Sequence, residues 1–266
     1  MGYCQTPSGS IYFETFGRGE TLLLLRGLGR SSRYWIGFEH MLATHFQVVL
    51  VDARGLGRSQ ALFTWKDGIE ILAQDCLLVL DQLEIEHFHV FGLSLGGMIG
   101  MSLAGQVPER VLSLTVANTS TADTGVLRLN PLALRSLLIG FLQGRFHETL
   151  LKQVVPQKVS ATRRQQILQA WQDILEDEGF PIALILRQLY AASRFSIRGQ
   201  LDGTKTPVLI LVGSEDRFVP QRHSRRLQEL IPGARLRRVE GAGHEITLGH
   251  EELLTNILRD FAGQSK

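Results

Sequence analysis

The chain has 266 residues, of which 44% are hydrophobic and 20% charged, and 28 Lys and Arg stand against 26 Asp and Glu for a formal net charge of +2. That much apolar surface offsets the entropy of ordering and excludes a disordered chain, while 27 Gly and 8 Pro without a fixed period exclude collagen-like and low-complexity classes. The charge balance excludes nucleic acid or an anionic membrane as the main partner, and the length suits one large domain or one domain with a substantial insertion.

The N-terminal MGYCQTPSGS has no apolar core of the signal-peptide kind. It matches the acylation pattern M-G-x-x-x-[ST] through Gly2 and Thr6, with Cys4 as a site for a second lipid, but the pattern constrains few positions and chance is the favoured source. SIYFETFG alternates apolar and polar residues, as a half-exposed antiparallel strand does. TLLLLRG (21–27) and FQVVLVD (46–52) read as buried strands, with a helical pattern over 34–44 between them. A helix over 67–83 follows, with Asp67 as N-cap and Glu70 completing a partial capping box; Cys76 lies in it, buried and inert. HFHVFGLS (87–94) is a third strand, the helix 95–106 follows a sharp turn at Ser94, and TVAN (115–118) lies in a fourth. PVLILVG (207–213) is a fifth, a helix over 221–231 follows Pro220, ARLRRVE (234–240) reads as an edge or near-edge strand, and a helix over 248–262 closes the chain.

Buried strands alternating with helices imply a mainly parallel sheet covered on both faces. Residues 120–200 break the rhythm. LRLNPLALRSLLIGFLQG, ATRRQQILQAWQDILED and PIALILRQLYAAS are helical in period, with no convincing strand between them. The expected organisation is therefore a core of residues 1–119 and 201–266 with a helical cap insertion at 120–200. The cap is placed over the end of the sheet because ligands of open parallel sheets sit beyond the strand carboxyl ends. No apolar run approaches the roughly 18 residues of a membrane span. The longest, Phe180 to Leu186, stops at Arg187, so no stable membrane insertion is expected. Cys4 and Cys76 sit in neither a CxxC nor a Cys/His cluster, which argues against a disulfide frame or a zinc site and makes a reducing cytosol, hence a cytoplasmic protein, the default.

The sharpest chemical signal is Gly92-Leu93-Ser94-Leu95-Gly96, running from an apolar strand into a helical pattern. A nucleophilic serine needs its oxygen exposed at a tight strand-to-helix turn, and glycines two before and two after it make room for that backbone. The pentapeptide alone is weak; the strand-turn-helix setting supplies its context. A serine hydroxyl also needs a base. His244, in a Gly-flanked loop after the last strand, is the best of eight histidines. His87 and His89 flank a strand start and read as structural or surface. His40 and His45 belong to a helix and its exit, His147 to the insertion, and His223 and His250 to exposed helical turns. The base needs an acid to hold its tautomer. LVGSEDRFVP (211–220) offers Asp216, with Glu215 as its rival, and either could instead cap the helix after Pro220. The order Ser94, Asp216, His244 is the one expected on a parallel sheet. Oxyanion donors fall to the backbone N–H of Leu95 and, from the loop Arg26-Gly27-Leu28-Gly29, to that of Leu28.

Together, RGLGRSSRYW (26–35), DARGLGRS (52–59), GLSLGGM (92–98), PERV (108–111), LVGSEDRFVP (211–220) and GAGHE (241–245) make the chain resemble an α/β-hydrolase-fold serine hydrolase over nearly its whole length. The resemblance implies that fold, Ser94, Asp216 and His244 as the catalytic triad, Leu28 and Leu95 as oxyanion donors, and a cap from about 120 to 200. GLSLGGM, PERV and VANTS (116–120) are similar to 3-oxoadipate enol-lactonases, small carboxylesterases and C–C bond hydrolases. The family usually has His-Gly where this chain has Arg26-Gly27, and often a His where it has Leu56. Arg26 either braces the oxyanion loop through an ion pair or points a cation at an acidic substrate, with bracing favoured; Asp52, Arg54 and Arg58 read as loop structure.

The leading expectation is hydrolysis of an ester, lactone or related acyl bond through an acyl-serine, with no metal and no organic cofactor. A cap rich in Leu, Ile and Phe favours a small or medium apolar substrate. Trp171, Phe141, Phe180 and Tyr190 are candidate pocket residues, each more readily explained by packing. Two alternatives stay open: C–C bond hydrolysis or a non-hydrolytic lyase or dioxygenase reaction on the same fold, and a receptor-like binding protein with a slow triad. Oligomeric state is not legible.

Overall fold

The continuous apolar runs of the chain pair side by side because each must bury both of its faces. A computed structural model describes residues 1–125, 132, 135–136, 139, 142–143, 145–156 and 159–264. It contains β1 (Gly2–Thr6), β2 (Gly9–Phe16), β3 (Thr21–Leu25), β4 (Gln47–Val51), β5 (Phe88–Leu93), β6 (Val111–Ala117), β7 (Val208–Gly213) and β8 (Arg235–Val239). They form one eight-stranded sheet in the order β1-β2-β4-β3-β5-β6-β7-β8. β1 and β2 pair antiparallel, as do β2 and β4; every other neighbour is parallel. β8 is the edge strand, and its mostly exposed Arg235, Arg237 and Arg238 explain the alternating pattern of ARLRRVE.

The helices are α1 (Phe38–Leu42), α2 (Ile69–Gln82), α3 (Leu95–Gln106), α4 (Phe146–Val154), α5 (Ala161–Glu178), α6 (Ile182–Arg194), α7 (Arg222–Leu230) and α8 (Glu251–Gly263). Successive side chains of β3 serve two cores. Leu23 and Leu25 pack with Leu72 and Val79 of α2 and with Met98 and Ile99 of α3. Leu22 and Leu24 pack with Phe38 and Leu42 of α1 and with Leu254, Leu258 and Phe261 of α8. Helices on both faces of a mainly parallel sheet are the α/β architecture the alternating pattern implied.

Between β6 and β7 the described residues hold helices and no strand. α4 and α5 share a third cluster, Leu151, Val154, Val155, Val159, Ile167 and Trp171, which rests on Leu248 of the core. Ser160 caps α5, its hydroxyl accepting from the Arg163 N–H at 3.2 Å. The expected helix LRLNPLALRSLLIGFLQG, with Phe141, falls largely outside the described residues.

Several local expectations are corrected. β1 was not anticipated: GYCQT lacks strong alternation, and its pairing with β2 (Gly2 opposite Phe13, Thr6 opposite Gly9) makes it a strand. That pairing holds Gly2 in the sheet and buries Cys4. The helix expected over 34–44 is broken. A 3-10 turn at Ser32–Trp35 ends in left-handed Ile36 and Gly37, and α1 starts only at Phe38. Asp67 does not cap α2, whose N-cap is Gly68; its carboxylate instead accepts from the Thr64 N–H at 2.5 Å.

The turn after β4 is built on carboxylates. Asp52 accepts from the N–H groups of Ser32 at 2.7 Å and Arg58 at 3.0 Å. Arg54 grips Asp75 of α2 through Nε at 2.5 Å and Nη2 at 2.7 Å, both side chains buried. Removing one partner of such a pair strands the other charge away from water. Asp75→Ala is therefore expected to destabilise the protein by about 3–5 kcal/mol, read from urea denaturation midpoints at constant m-value.

Candidate active site

Four strand ends, those of β3, β5, β7 and β8, and the loops leaving them supply the site. Between β5 and α3, Ser94 adopts φ 56° and ψ −117°, a conformation that non-glycine residues rarely take. The turn closes this tightly because its glycines carry no Cβ. A Cβ on Gly92 would lie 2.3 Å from the Gly96 carbonyl oxygen, and one on Gly96 would lie 2.1 Å from that of Leu25. The Ser94 N–H donates to the Ala117 carbonyl at 2.9 Å, and the Thr119 hydroxyl donates to the Ser94 carbonyl at 2.7 Å. Strain at Ser94 is thus held from both sides by the end of β6. Gly27, after β3, sits against Ser94: a Cβ there would be 3.3 Å from the Ser94 Cβ.

Asp216 lies past β7 with its side chain fully buried. Its Oδ1 accepts from the N–H groups of Phe218 at 2.7 Å and Val219 at 3.0 Å, and its Oδ2 is 2.9 Å from His244 Nδ1. Among the described residues, Glu215, the rival, makes a backbone bond from its N–H to the Ala242 carbonyl at 2.8 Å and no side-chain hydrogen bond. Because a carboxylate accepts, His244 donates from Nδ1 and leaves Nε2 for a substrate or a hydroxyl. Burial alone would depress the imidazolium; the charge and hydrogen bond of Asp216, with Glu245 adding, hold it above the usual histidine range, and Arg30 opposes them.

Ser94 and His244 line one cavity of about 310 Å³. Among the described residues no hydrogen bond joins their side chains directly, a spacing that apo sites of this kind often show. Leu28 and Leu95 line the same cavity, whose wall is otherwise mostly apolar: Leu93, Met98, Leu150, Val154, Phe180, Ile185, Leu189 and Phe218. Of the weighed aromatics, Phe180 is in this wall. Trp171 is buried behind it, and Tyr190 faces outward with its ring 5.7 Å from Trp65. A larger, more polar groove of about 620 Å³, lined by Glu14, Arg33, Glu39 and Asp177, contains none of Ser94, Asp216 or His244.

The other histidines lie elsewhere. His40, His45 and His87 are exposed, and buried His89 meets the Ser113 hydroxyl at 2.7 Å. His223 corrects its expectation. It is buried, with Nδ1 3.1 Å from the Thr124 hydroxyl, because the turn Ala122–Thr124 after β6 covers α7. His250 is half-buried, its Nε2 3.1 Å from the Glu240 carbonyl, and the His147 side chain falls outside the described residues. Among the described residues no group of three or more His, Cys, Asp or Glu is placed to hold a metal, and no helix is long and apolar enough to cross a membrane.

Of the groups that hold these loops, sequence reasoning weighed Arg26 and favoured its bracing role, but missed its partner Glu245 and the parts played by Asn118 and Gln188. Arg26 Nη2 lies 3.0 and 2.9 Å from the two oxygens of Glu245, both residues buried, and its guanidinium sits 4.5 Å from the Trp35 ring. Of the two roles weighed for Arg26, the geometry is that of the brace, and the pair ties the loop after β3 to the loop of His244. Arg26 and then Arg30 outweigh burial to hold the Glu245 carboxyl below its usual range. Asn118, at φ 47° past β6, donates to the carbonyls of Gly243 and His244, both at 2.9 Å, and accepts from the Gly213 N–H at 2.8 Å. Gln188 of α6 accepts from the Gly29 N–H at 2.9 Å. The one signal for Asn118 was an asparagine at a strand end, a residue type that tolerates left-handed backbone.

Known proteins resemble this chain in sequence and fold. The pattern defining the alpha/beta hydrolase fold family matches residues 20–251. The chain is 30% identical over 244 residues to a "Putative carbamate hydrolase RutD" of Caulobacter sp. (strain K31), covering 91% of this chain and 90% of that protein. It is 28% identical over 258 residues to a pimeloyl-[acyl-carrier protein] methyl ester esterase of Aeromonas hydrophila, covering 96% and 100%. Among solved structures, Est816, an N-acyl homoserine lactone degrading enzyme, superposes with a TM-score of 0.81 at 25% identity, over 98% of this chain and 100% of that one. An enol-lactonase of Burkholderia xenovorans LB400 shares the fold, with a TM-score of 0.80 at 22% identity, over 98% and 100%.

Two substitutions test the bracing groups. Asn118→Ala leaves three backbone groups, two of them in buried bonds, without their partner, so a loss of about 1–3 kcal/mol is expected in denaturant titration. Glu245→Gln removes the negative charge that favours the His244 imidazolium, so the acid limb of a kcat/KM profile should move to lower pH relative to wild type. A limb that stays put would sever Glu245 from the histidine.

Proposed function

The chain belongs to the alpha/beta hydrolase fold family, as a hydrolase, and from that premise we propose that it cleaves an ester, lactone or related acyl bond through an acyl-serine intermediate. The observation that carries this reading is the convergence of Ser94 and His244, backed by Asp216, on one largely apolar cavity. The cavity volume of about 310 Å³ suits a small to medium substrate.

The chemistry follows from the proton inventory. With Nδ1–H donated to Asp216, the free Nε2 of His244 takes the Ser94 proton as Oγ bonds to the substrate carbonyl carbon. The carbonyl electron pair moves onto oxygen, and the N–H groups of Leu28 and Leu95 stabilise that oxyanion. The α3 N-terminus adds a favourable dipole. Collapse expels the leaving group, which takes the proton from Nε2, and acyl-Ser94 remains. Water, deprotonated by the same nitrogen, then attacks the acyl carbon, and a second collapse returns Ser94 and releases the acid. Buried Asp216 orients the ring and offsets the positive charge His244 carries in each transition state.

The helical stretch between β6 and β7 acts as the cap in this reading. Leu150 and Val154 of α4 and Ile185 and Leu189 of α6 close the apolar wall, and Gln188 anchors α6 to the oxyanion loop. The carbamate, ester and lactone activities named for the relatives are all attacks on an acyl carbon, which is why the reading stops at the acyl bond. Two buried, unbridged cysteines suit a reducing cytosol as its compartment.

Ser94→Ala should lower kcat/KM for p-nitrophenyl butyrate by about 10⁴-fold or more and abolish labelling by a fluorophosphonate that maps to residue 94 in the wild type. Unchanged turnover in that variant would remove the serine mechanism.

A further inference from the structure

The cavity that holds Ser94 is mostly apolar. Among its described lining residues, the side chains able to carry charge are Arg30, His244 and Glu245. His244 is committed to Asp216, and Glu245 to Arg26, whose Nη2 straddles both carboxylate oxygens. Arg30 is committed to neither. Its Nε is 3.8 Å from Glu245 Oε1, an ion-pair distance too long for a hydrogen bond. Among the described residues its guanidinium makes no hydrogen bond, although its side chain is only 12% exposed.

The guanidinium is instead positioned by rings. Its central carbon lies 4.3 Å from the Tyr34 ring and 4.1 Å from the Trp171 ring, and those rings are 6.1 Å apart. The two ring planes are tilted at 58°, so the rings meet the cation from different sides. Cation–π contact steadies an arginine but leaves its N–H groups unsatisfied. A planar cation in an apolar pocket, held in place with donors to spare, is built to receive a planar anion.

We propose that Arg30 is the specificity-determining residue of the cavity and binds a carboxylate on the acyl part of the substrate. The inference rests on the acyl-hydrolase reading and narrows it, from apolar acyl compounds to acyl compounds with an apolar body and a distal carboxylate. The acyl part is favoured over the leaving group because it stays in the cavity through both half-reactions, so a contact to Arg30 serves both, whereas the leaving group departs after the first. Arg26 is not this residue, since both of its short contacts to Glu245 are buried.

The test separates binding from turnover. Adipamate and hexanamide are amides that differ in one distal carboxylate; mono-p-nitrophenyl adipate and p-nitrophenyl hexanoate are the corresponding esters. In calorimetry adipamate should bind wild type about tenfold or more tightly than hexanamide, the scale of one charge-assisted hydrogen bond. Arg30→Met should erase that advantage, and Arg30→Lys should restore part of it. The ratio of kcat/KM for the charged over the neutral ester should fall in parallel, chiefly through KM. Should Arg30→Met fail to fold, Arg30→Gln carries the same comparison. No advantage for adipamate in wild type, or an advantage that survives Arg30→Met, overturns the proposal and leaves Arg30 a packing cation neutralised by Glu245. An adipamate advantage without turnover of either ester keeps the Arg30 subsite and sinks the hydrolase reading of Ser94. Ester turnover without the advantage does the reverse.

Discussion

A buried ion pair between residues 219 positions apart holds the site together: Arg26, leaving β3, grips Glu245, next to His244. Each charge is costly to bury alone, so the two loops are stable only in the arrangement that keeps both paired. The pair acts where loops would otherwise be free to drift, at the carboxyl ends of parallel strands. It sets the proposed oxyanion donor Leu28 and the imidazole of His244 on a common support. The neighbouring Arg30 shares the Glu245 charge at longer range, which ties the electrostatics of the cavity to those of the proposed base.

Around that pair, polar contacts take over wherever a strand gives out. Asn118 joins the ends of β6 and β7 to the His244 loop with three hydrogen bonds, and Thr119 fixes the Ser94 carbonyl. The strained turn at Ser94 survives because these neighbours over-determine it and because Gly92 and Gly96 let backbones approach to distances no Cβ would allow. Strain, close approach and buried charge cluster in one place, where a site needs side chains held against water and substrate alike.

Much of this was legible in one dimension. The strand-turn-helix around Ser94, the Gly-flanked His244 and the carboxylate after β7 are local patterns, because a tight turn demands glycine and a loop after a strand demands little else. The same local logic failed where a competing partner, near or far along the chain, decides. Asp67 looks like an N-cap, yet Thr64 claims its carboxylate. His223 sits on a helix whose own sequence looks solvent-facing, and the turn Ala122–Thr124 after β6 packs against it. GYCQT has too little alternation to declare a strand, and β2 makes it one.

The sequence by itself determined the parallel α/β sheet and the order and type of the residues that meet at its edge, because hydrophobic period and turn chemistry are properties of neighbouring residues. Tertiary structure alone decided what Arg26 does, that Asp216 rather than Glu215 reaches the imidazole, and that Arg30 faces the cavity. A charge is assigned its role by whichever opposite charge folding brings within a few ångströms, and no spacing along the chain records that distance.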